Sequence, residues 1–137
     1  MISKKTKYGL KALGYLAKQE SETPVQISTI AKSENISVKF LESILLSLRK
    51  AGFLASKKGK GGGYYLLKKP DEIKIAAVYR ILEGPIAMVS CVSLNFYEKC
   101  SDCPNEEACN VNRLMIQIRD NMLAILENNT LADFIKN

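Results

Sequence analysis

Apolar positions recur at three- and four-residue intervals along most of the chain, the spacing that gives a helix one buried face. Leu10, Leu13, Leu16 and Ala17 predict a first helix over Lys4 to Gln19. Lys7, Lys11 and Lys18 occupy the rest of its surface, and Pro24 disfavours helix in the residue before it. A short helix from Ser28 to Ser33 buries Ile30 and Ala31. In the turn that follows, Ser33-Glu34-Asn35-Ile36, Asn35 accepts the left-handed backbone of a tight helix-to-helix connection. Ser37 offers the side-chain oxygen of an N-cap, and Leu41, Ile44, Leu45 and Leu48 give the next helix its apolar face.

Gly52 ends that helix and the pattern changes. Phe53-Leu54-Ala55-Ser56 and Tyr64-Tyr65-Leu66-Leu67 read as two strands, joined by a turn of Lys57-Lys58-Gly59-Lys60-Gly61-Gly62-Gly63. A helix-turn-helix followed by a basic, glycine-dense hairpin has the order of a winged helix-turn-helix. A further helix, about Lys74 to Glu83, stops at Gly84-Pro85. Residues 86–108 show little periodicity, and a loop of that length is uncommon in a compact domain without a purpose. Helical spacing returns from about Ala108 to Asn128. There Val111, Met115, Ile118, Met122 and Ile125, widened by Leu114 and Leu126, form a coiled-coil-like seam suited to a homodimer. Asn129-Thr130 caps a short tail, Leu131 to Ile135. The expected fold is mainly α with a small β-wing. Residues 1–85 form the winged helix-turn-helix, and 86–137 the cysteine-containing loop and dimerisation helix.

Composition narrows the function. The hydrophobic fraction of 47% and charged fraction of 25% are those of an ordered globular protein. No apolar run reaches bilayer length, and no signal-peptide stretch follows Met1 to Lys5, so a cytoplasmic protein with no membrane partner is expected. The net charge of +6 is divided unevenly. Residues 1–69 carry 14 Lys and Arg against 4 Asp and Glu, whereas 70–137 carry 6 against 10. A concentrated basic surface binds a polyanion by counterion release, which points double-stranded DNA at the first half. The glycines of the hairpin would let its backbone lie close to phosphate, with Lys58 and Lys60 supplying charge. The chain has no His, which removes Ser-His-Asp and Cys-His catalysis and every His-containing zinc finger. Gly59-Lys60-Gly61 lacks the spacing and the Ser or Thr of a phosphate-binding P-loop. An enzyme is not expected.

These residues resemble the Rrf-two family of winged-helix transcriptional regulators over nearly the whole chain. The resemblance rests on Thr6-Lys7-Tyr8-Gly9-Leu10-Lys11-Ala12-Leu13, on Phe40 to Gly52, on the wing Lys58 to Tyr64, on Leu82-Glu83-Gly84-Pro85 and on Asn129-Thr130-Leu131-Ala132-Asp133. It implies a homodimer on a pseudo-palindromic DNA operator. Two-fold related helices then meet half-sites about one turn, roughly 34–36 Å, apart. On this reading Lys39, Glu42 and Ser43, after the Ser37 cap, face base edges, with Glu42 able to accept from a cytosine amino group. Lys58 matches the basic residue that the family's wings place in the minor groove, with Lys60 beside it. Ser3, Lys4, Lys5 and Tyr8 would contact phosphates.

Four cysteines, Cys91, Cys100, Cys103 and Cys109, lie in the aperiodic stretch and the start of the last helix. In the family's cluster-binding members three cysteines run C-x5-C-x5-C. Cys103 and Cys109 match the second and third, and Cys91 matches the first by its place after Gly84-Pro85, although eleven residues separate it from Cys103. Cys100 is additional. Asn112 stands where the family's iron–sulfur regulator offers a His, and Lys7 and Tyr8 occupy the stretch where the nitric-oxide sensor type carries an acidic ligand. Four thiolates complete the ligand set of a 2Fe–2S or 4Fe–4S cluster, and they also suit tetrahedral zinc. The expected function is DNA-binding regulation sensing redox, iron–sulfur or nitric-oxide status through such a cluster. One alternative is a cluster-free regulator answering a small molecule, a partner protein or thiol oxidation. A thiol–disulfide oxidoreductase built on Cys100-x2-Cys103 lacks the βαβ pattern of a redox fold.

Overall fold

The computed structural model describes residues 1–136. Three helices open the chain: α1 (Lys4–Ala17), α2 (Ile27–Glu34) and α3 (Val38–Lys50). Ser3 caps α1, its hydroxyl accepting from the Thr6 backbone N–H at 3.2 Å. The helix ends at Ala17, short of the expected Gln19. Lys18 closes the last turn on the Leu16 and Tyr15 carbonyls, and the Gln19 side chain covers the same Tyr15 carbonyl. Between α2 and α3 the turn follows the sequence reading. Asn35 sits in the left-handed region at φ 55° and ψ 51°, and Ser37 accepts from the Phe40 N–H at 3.2 Å. Leu41, Ile44, Leu45 and Leu48 are wholly buried in one core with Leu13, Leu16 and Ile30.

The wing pairs β1 (Leu54–Lys57) with β2 (Gly63–Leu66) antiparallel, Leu54 opposite Leu66 and Lys57 opposite Gly63. Both strands are offset by one residue from the expected 53–56 and 64–67. Phe53 instead turns into the helical core, and its carbonyl takes the Leu67 N–H at 3.0 Å. Val25, from the α1–α2 connection, exchanges two hydrogen bonds of 2.8 Å with Tyr64 and anchors the hairpin to the helices. This explains two of the glycines. A Cβ on Gly63, whose φ is +146°, would overlap the Val25 carbonyl, and one on Gly62 would overlap the Lys57 carbonyl. The sequence reading gave the wing glycines to backbone approach toward DNA; these two serve approach to the chain's own backbone.

Beyond a 3₁₀ turn at Pro70–Glu72 come α4 (Ile75–Leu82), a second 3₁₀ turn at Ser90–Val92, α5 (Asn110–Asn128) and α6 (Leu131–Phe134). The chain end folds back. Leu131 N–H donates to Ile73 and Ile75 N–H to Asn129, and Leu131 is wholly buried in the core of α1 and α3. Arg80 and Lys74 tie α4 to α5 through Glu127 at 3.2 and 3.4 Å. The seam expected on α5 has two separate duties. Met115, Ile118, Met122 and Leu126 are half-buried, as are Ile116, Arg119 and Leu123 outside the seam, while Val111, Leu114 and Ile125 stand 56%, 52% and 64% exposed. Among the described residues no helix is long and apolar enough to cross a membrane.

Candidate nucleic-acid interface and cysteine centre

Because α3 sends Leu41, Ile44, Leu45 and Leu48 inward, its opposite side presents Lys39, Glu42 and Ser43 together, all exposed and spaced i, i+3, i+4. The Ser43 hydroxyl donates to the Phe40 carbonyl at 2.8 Å, which leaves its oxygen free to accept. Ser37 is occupied as the helix cap. Leu46 and Lys50 continue the same face, and Leu46 is 37% exposed. An apolar side chain there suits a thymine methyl, and Leu46 falls outside the core period of Leu41, Ile44, Leu45 and Leu48. Lys58 and Lys60 stand exposed on the wing turn. At the end of α3, Arg49 donates to the Ser56 hydroxyl at 3.0 Å, so this cation positions the wing's first strand.

The first turns of α1 adjoin this face. Tyr8 packs edge-on against Phe40 of α3, ring centroids 5.7 Å apart, and is half-buried. Lys4 is exposed and Lys5 half-buried. Ser3 is committed on both sides: its hydroxyl caps α1, and its backbone N–H donates to Glu83 Oε1 at 2.6 Å. Burial pushes the Glu83 carboxyl up. The Ser3 and Thr6 hydrogen bonds and the N-terminal ammonium outweigh it, holding the group below its usual range. Glu83 closes α4 immediately before the cysteine-containing stretch, so one carboxylate links that stretch's root to the start of α1.

The four cysteines, each half-buried, line one cavity of about 480 Å³ with Val89, Pro104 and Val111. Cys91 rides on the Ser90–Val92 turn, which is pinned by the buried Val92 and by Arg119 donating to the Val92 carbonyl at 2.9 Å. Cys109 caps α5 through its sulfur, accepting from the Asn112 N–H at 3.4 Å; Asn112 Nδ2 also reaches the Cys91 sulfur at 3.3 Å. Desolvation and the adjacent Cys91 thiol push the Cys100 thiol up. Glu106 is engaged by the Tyr97 hydroxyl, a bond that pushes Tyr97 up to about 12, and Glu107 is exposed. Among the described residues, no three Cys, Asp or Glu side chains converge on the position of a single metal ion. The thiols surround the cavity and do not meet at a point.

Comparison with known proteins gives a consistent picture. The Rrf2 family, described as iron-dependent transcriptional regulators, matches residues 2–137. The chain is 40% identical to an rrf2-like HTH-type transcriptional regulator of Rhodobacter capsulatus, over 98% of this chain and 92% of that protein. It is 36% identical to the HTH-type transcriptional regulator CymR of Bacillus subtilis, over 96% and 87% respectively. The solved structure of that protein, described as the global cysteine regulator of B. subtilis, superposes with a TM-score of 0.80, covering 98% of this chain and 95% of that one. The structure of T. potens IscR superposes at 0.78 with 27% identity, over 98% and 85%.

Proposed function

The chain belongs to the Rrf2 family of DNA-binding transcriptional regulators, and from that premise we propose that it is a homodimeric regulator sensing redox, iron or nitric-oxide status through an iron–sulfur cluster held by Cys91, Cys100, Cys103 and Cys109. The observation that carries the reading is the single cavity into which all four thiols are gathered. The donor set fits: four thiolates complete the ligands of a 2Fe–2S or 4Fe–4S cluster, so Cys100 supplies the fourth ligand. Tetrahedral zinc asks four sulfurs to lie about 2.3 Å from one point. The four thiols line one cavity, and the same donor set serves a cluster or zinc; the family's cluster-binding members favour the cluster. When bound, such a cluster supplies a thiolate-ligated iron centre whose integrity depends on oxidants, iron supply and nitric oxide.

The protein's own residues connect that centre to DNA. Lys39, Glu42 and Ser43 of α3 read base edges in the major groove, and Lys58 with Lys60 extends toward the minor groove. Lys4, Lys5 and Tyr8 meet phosphates, with Ser3 holding the start of α1 for them. Order in residues 86–108 is shared by the Val92 anchor, the Arg119 bond and the Asn112 bonds. Glu83, at the root of that stretch, holds Ser3. A change of order there therefore reaches the DNA-contacting face through one short path. It regulates only if operator affinity differs between the two states.

Anaerobic purification with visible absorption, iron, sulfide and zinc assays on one sample tests the reading. Iron with matching sulfide and visible charge-transfer bands is expected, together with a change in operator affinity when the cluster is removed. A colourless, iron-free protein that resists reconstitution overturns the cluster and leaves DNA binding intact. A second reading, without a cluster, has its own observation. A groove of about 700 Å³ runs between the end of α1, β2 and α6, floored by Leu16, Leu66 and Ile135, beside the wing where a small molecule would bear on DNA binding. Normal regulation by Cys→Ser variants would select it.

A further inference from the structure

Asn112 stands three positions after Cys109, inside the first turn of α5, at the place where the family's iron–sulfur regulator offers a His, and its uncharged amide leaves that place with no evident ligand. Its backbone N–H donates to the Cys109 sulfur at 3.4 Å and its Nδ2 to the Cys91 sulfur at 3.3 Å. The two cysteines are eighteen positions apart in sequence and belong to different elements, the Ser90–Val92 turn and the cap of α5. One amide residue brackets both. As a cluster ligand Cys91 would be a thiolate, which only accepts, so the side-chain nitrogen and not the oxygen would face it.

We propose that Asn112 is the positioning residue of the cysteine centre: it sets Cys91 beside Cys109 and, by donating to both sulfurs, tunes the reduction potential and the retention of a bound cluster. This rests on the cluster reading above and goes beyond it, because Asn112 acts through the thiols and is not itself a ligand. Two physical consequences follow. An N–H directed at a ligating sulfur stabilises added negative charge there, so the reduced cluster gains more than the oxidised one and the potential rises. A ligand held in place before binding loses less freedom on binding, and outer partners of this kind typically govern metal affinity by about 10–100-fold. For Cys91 this bond comes from a separate element, α5, and ties the Ser90–Val92 turn to it.

The test uses the full chain loaded anaerobically, as wild type, Asn112→Ala, Asn112→Asp and Asn112→Gln. Asp keeps the shape and the backbone N–H but loses the Nδ2 donor, Ala removes the side chain without adding charge, and Gln retains an amide donor. The readouts are midpoint potential, visible spectrum and the rate of iron release to a chelator, with circular dichroism as the check on folding. Expected are a lower potential and release about 10-fold faster in Ala and Asp, with Gln between them and wild type. Equal potentials and release rates in wild type and Ala would overturn the assignment of Asn112 while leaving the cluster in place. A wild type that takes up no iron under reconstitution would overturn the cluster reading and the role of Asn112 with it, so the two failures are distinct.

Discussion

Single residues set the accuracy with which this fold holds its contact face. Gly63 is the sharpest case: its φ of +146° and its backbone-to-backbone approach to Val25 leave no room for a Cβ. Gly63→Ala should lower stability by about 1–3 kcal/mol, read by denaturant unfolding, and should loosen the wing it anchors. Nothing in the sequence separates Gly63 from the other wing glycines, because the partner segment lies thirty-eight positions away at Val25 and is reached only in three dimensions. Asn35 and Ser37 contrast with it. Their duties are local, a left-handed turn and an N-cap, and both were legible from residue type and position alone. Glu83 carries a pH signature. Its carboxyl is held below its usual range in the folded protein, so its contribution is complete above the unfolded value of about 4.3 and is lost as pH falls through the lower folded value. Wild type should therefore lose more stability than Glu83→Gln between pH 5 and 3. At pH 7 the substitution itself should cost about 1 kcal/mol, a figure reduced for partial exposure.

At the scale of elements, the proposed complex divides two kinds of DNA contact between α3 and the wing. The apolar face of α3 was readable as a 3.6-residue period, and its complement, the face carrying Lys39, Glu42 and Ser43, followed by geometry. Lys58, on the turn of the wing, lacks the orientation for base readout that a helix in the major groove has. Lys58→Ala should weaken binding to all sequences alike and reduce the slope of log affinity against log salt by about one for each wing engaged. Glu42→Ala should act differently, relaxing discrimination at one base pair by about 1–3 kcal/mol with little change in salt dependence. Titrations of operator and scrambled DNA at several salt concentrations distinguish the two, and an unchanged base preference in Glu42→Ala would remove Glu42 from the groove. The stretch 86–108 was the least legible element. Its order comes from Val92 in the interior, from Arg119 on α5 and from Asn112, none of which leaves a periodic trace in the local sequence. The cysteines marked that stretch in the sequence, but only the folded chain shows that they line one cavity and that Asn112 reaches the sulfurs of Cys91 and Cys109.

For the whole molecule, the decisive feature is that α5 has two apolar sides and the protomer uses one. Ile116, Leu123 and Leu126, with Arg119, lie on the half-buried side, and the Glu127 ion pairs fix the helix to α4. Val111, Leu114 and Ile125 share the other side and stay more than half exposed, although each costs free energy in water. The sequence showed one broad seam; it could not show that the protomer claims only part of its width, since that depends on how α4 meets α5. A second copy covering the exposed stripe by two-fold symmetry would set two α3 helices for successive half-sites, which is the homodimer of the proposed function. Leu114→Glu with Ile125→Glu tests this cleanly, because both side chains already face water and their replacement leaves the protomer's core untouched. The expected product is a folded monomer by sedimentation, with unchanged helix content and operator affinity reduced at least about 100-fold as the two half-sites lose their linkage. A variant that still sediments as a dimer would place the interface elsewhere, and a monomer with full affinity would mean that one protomer suffices to hold the operator.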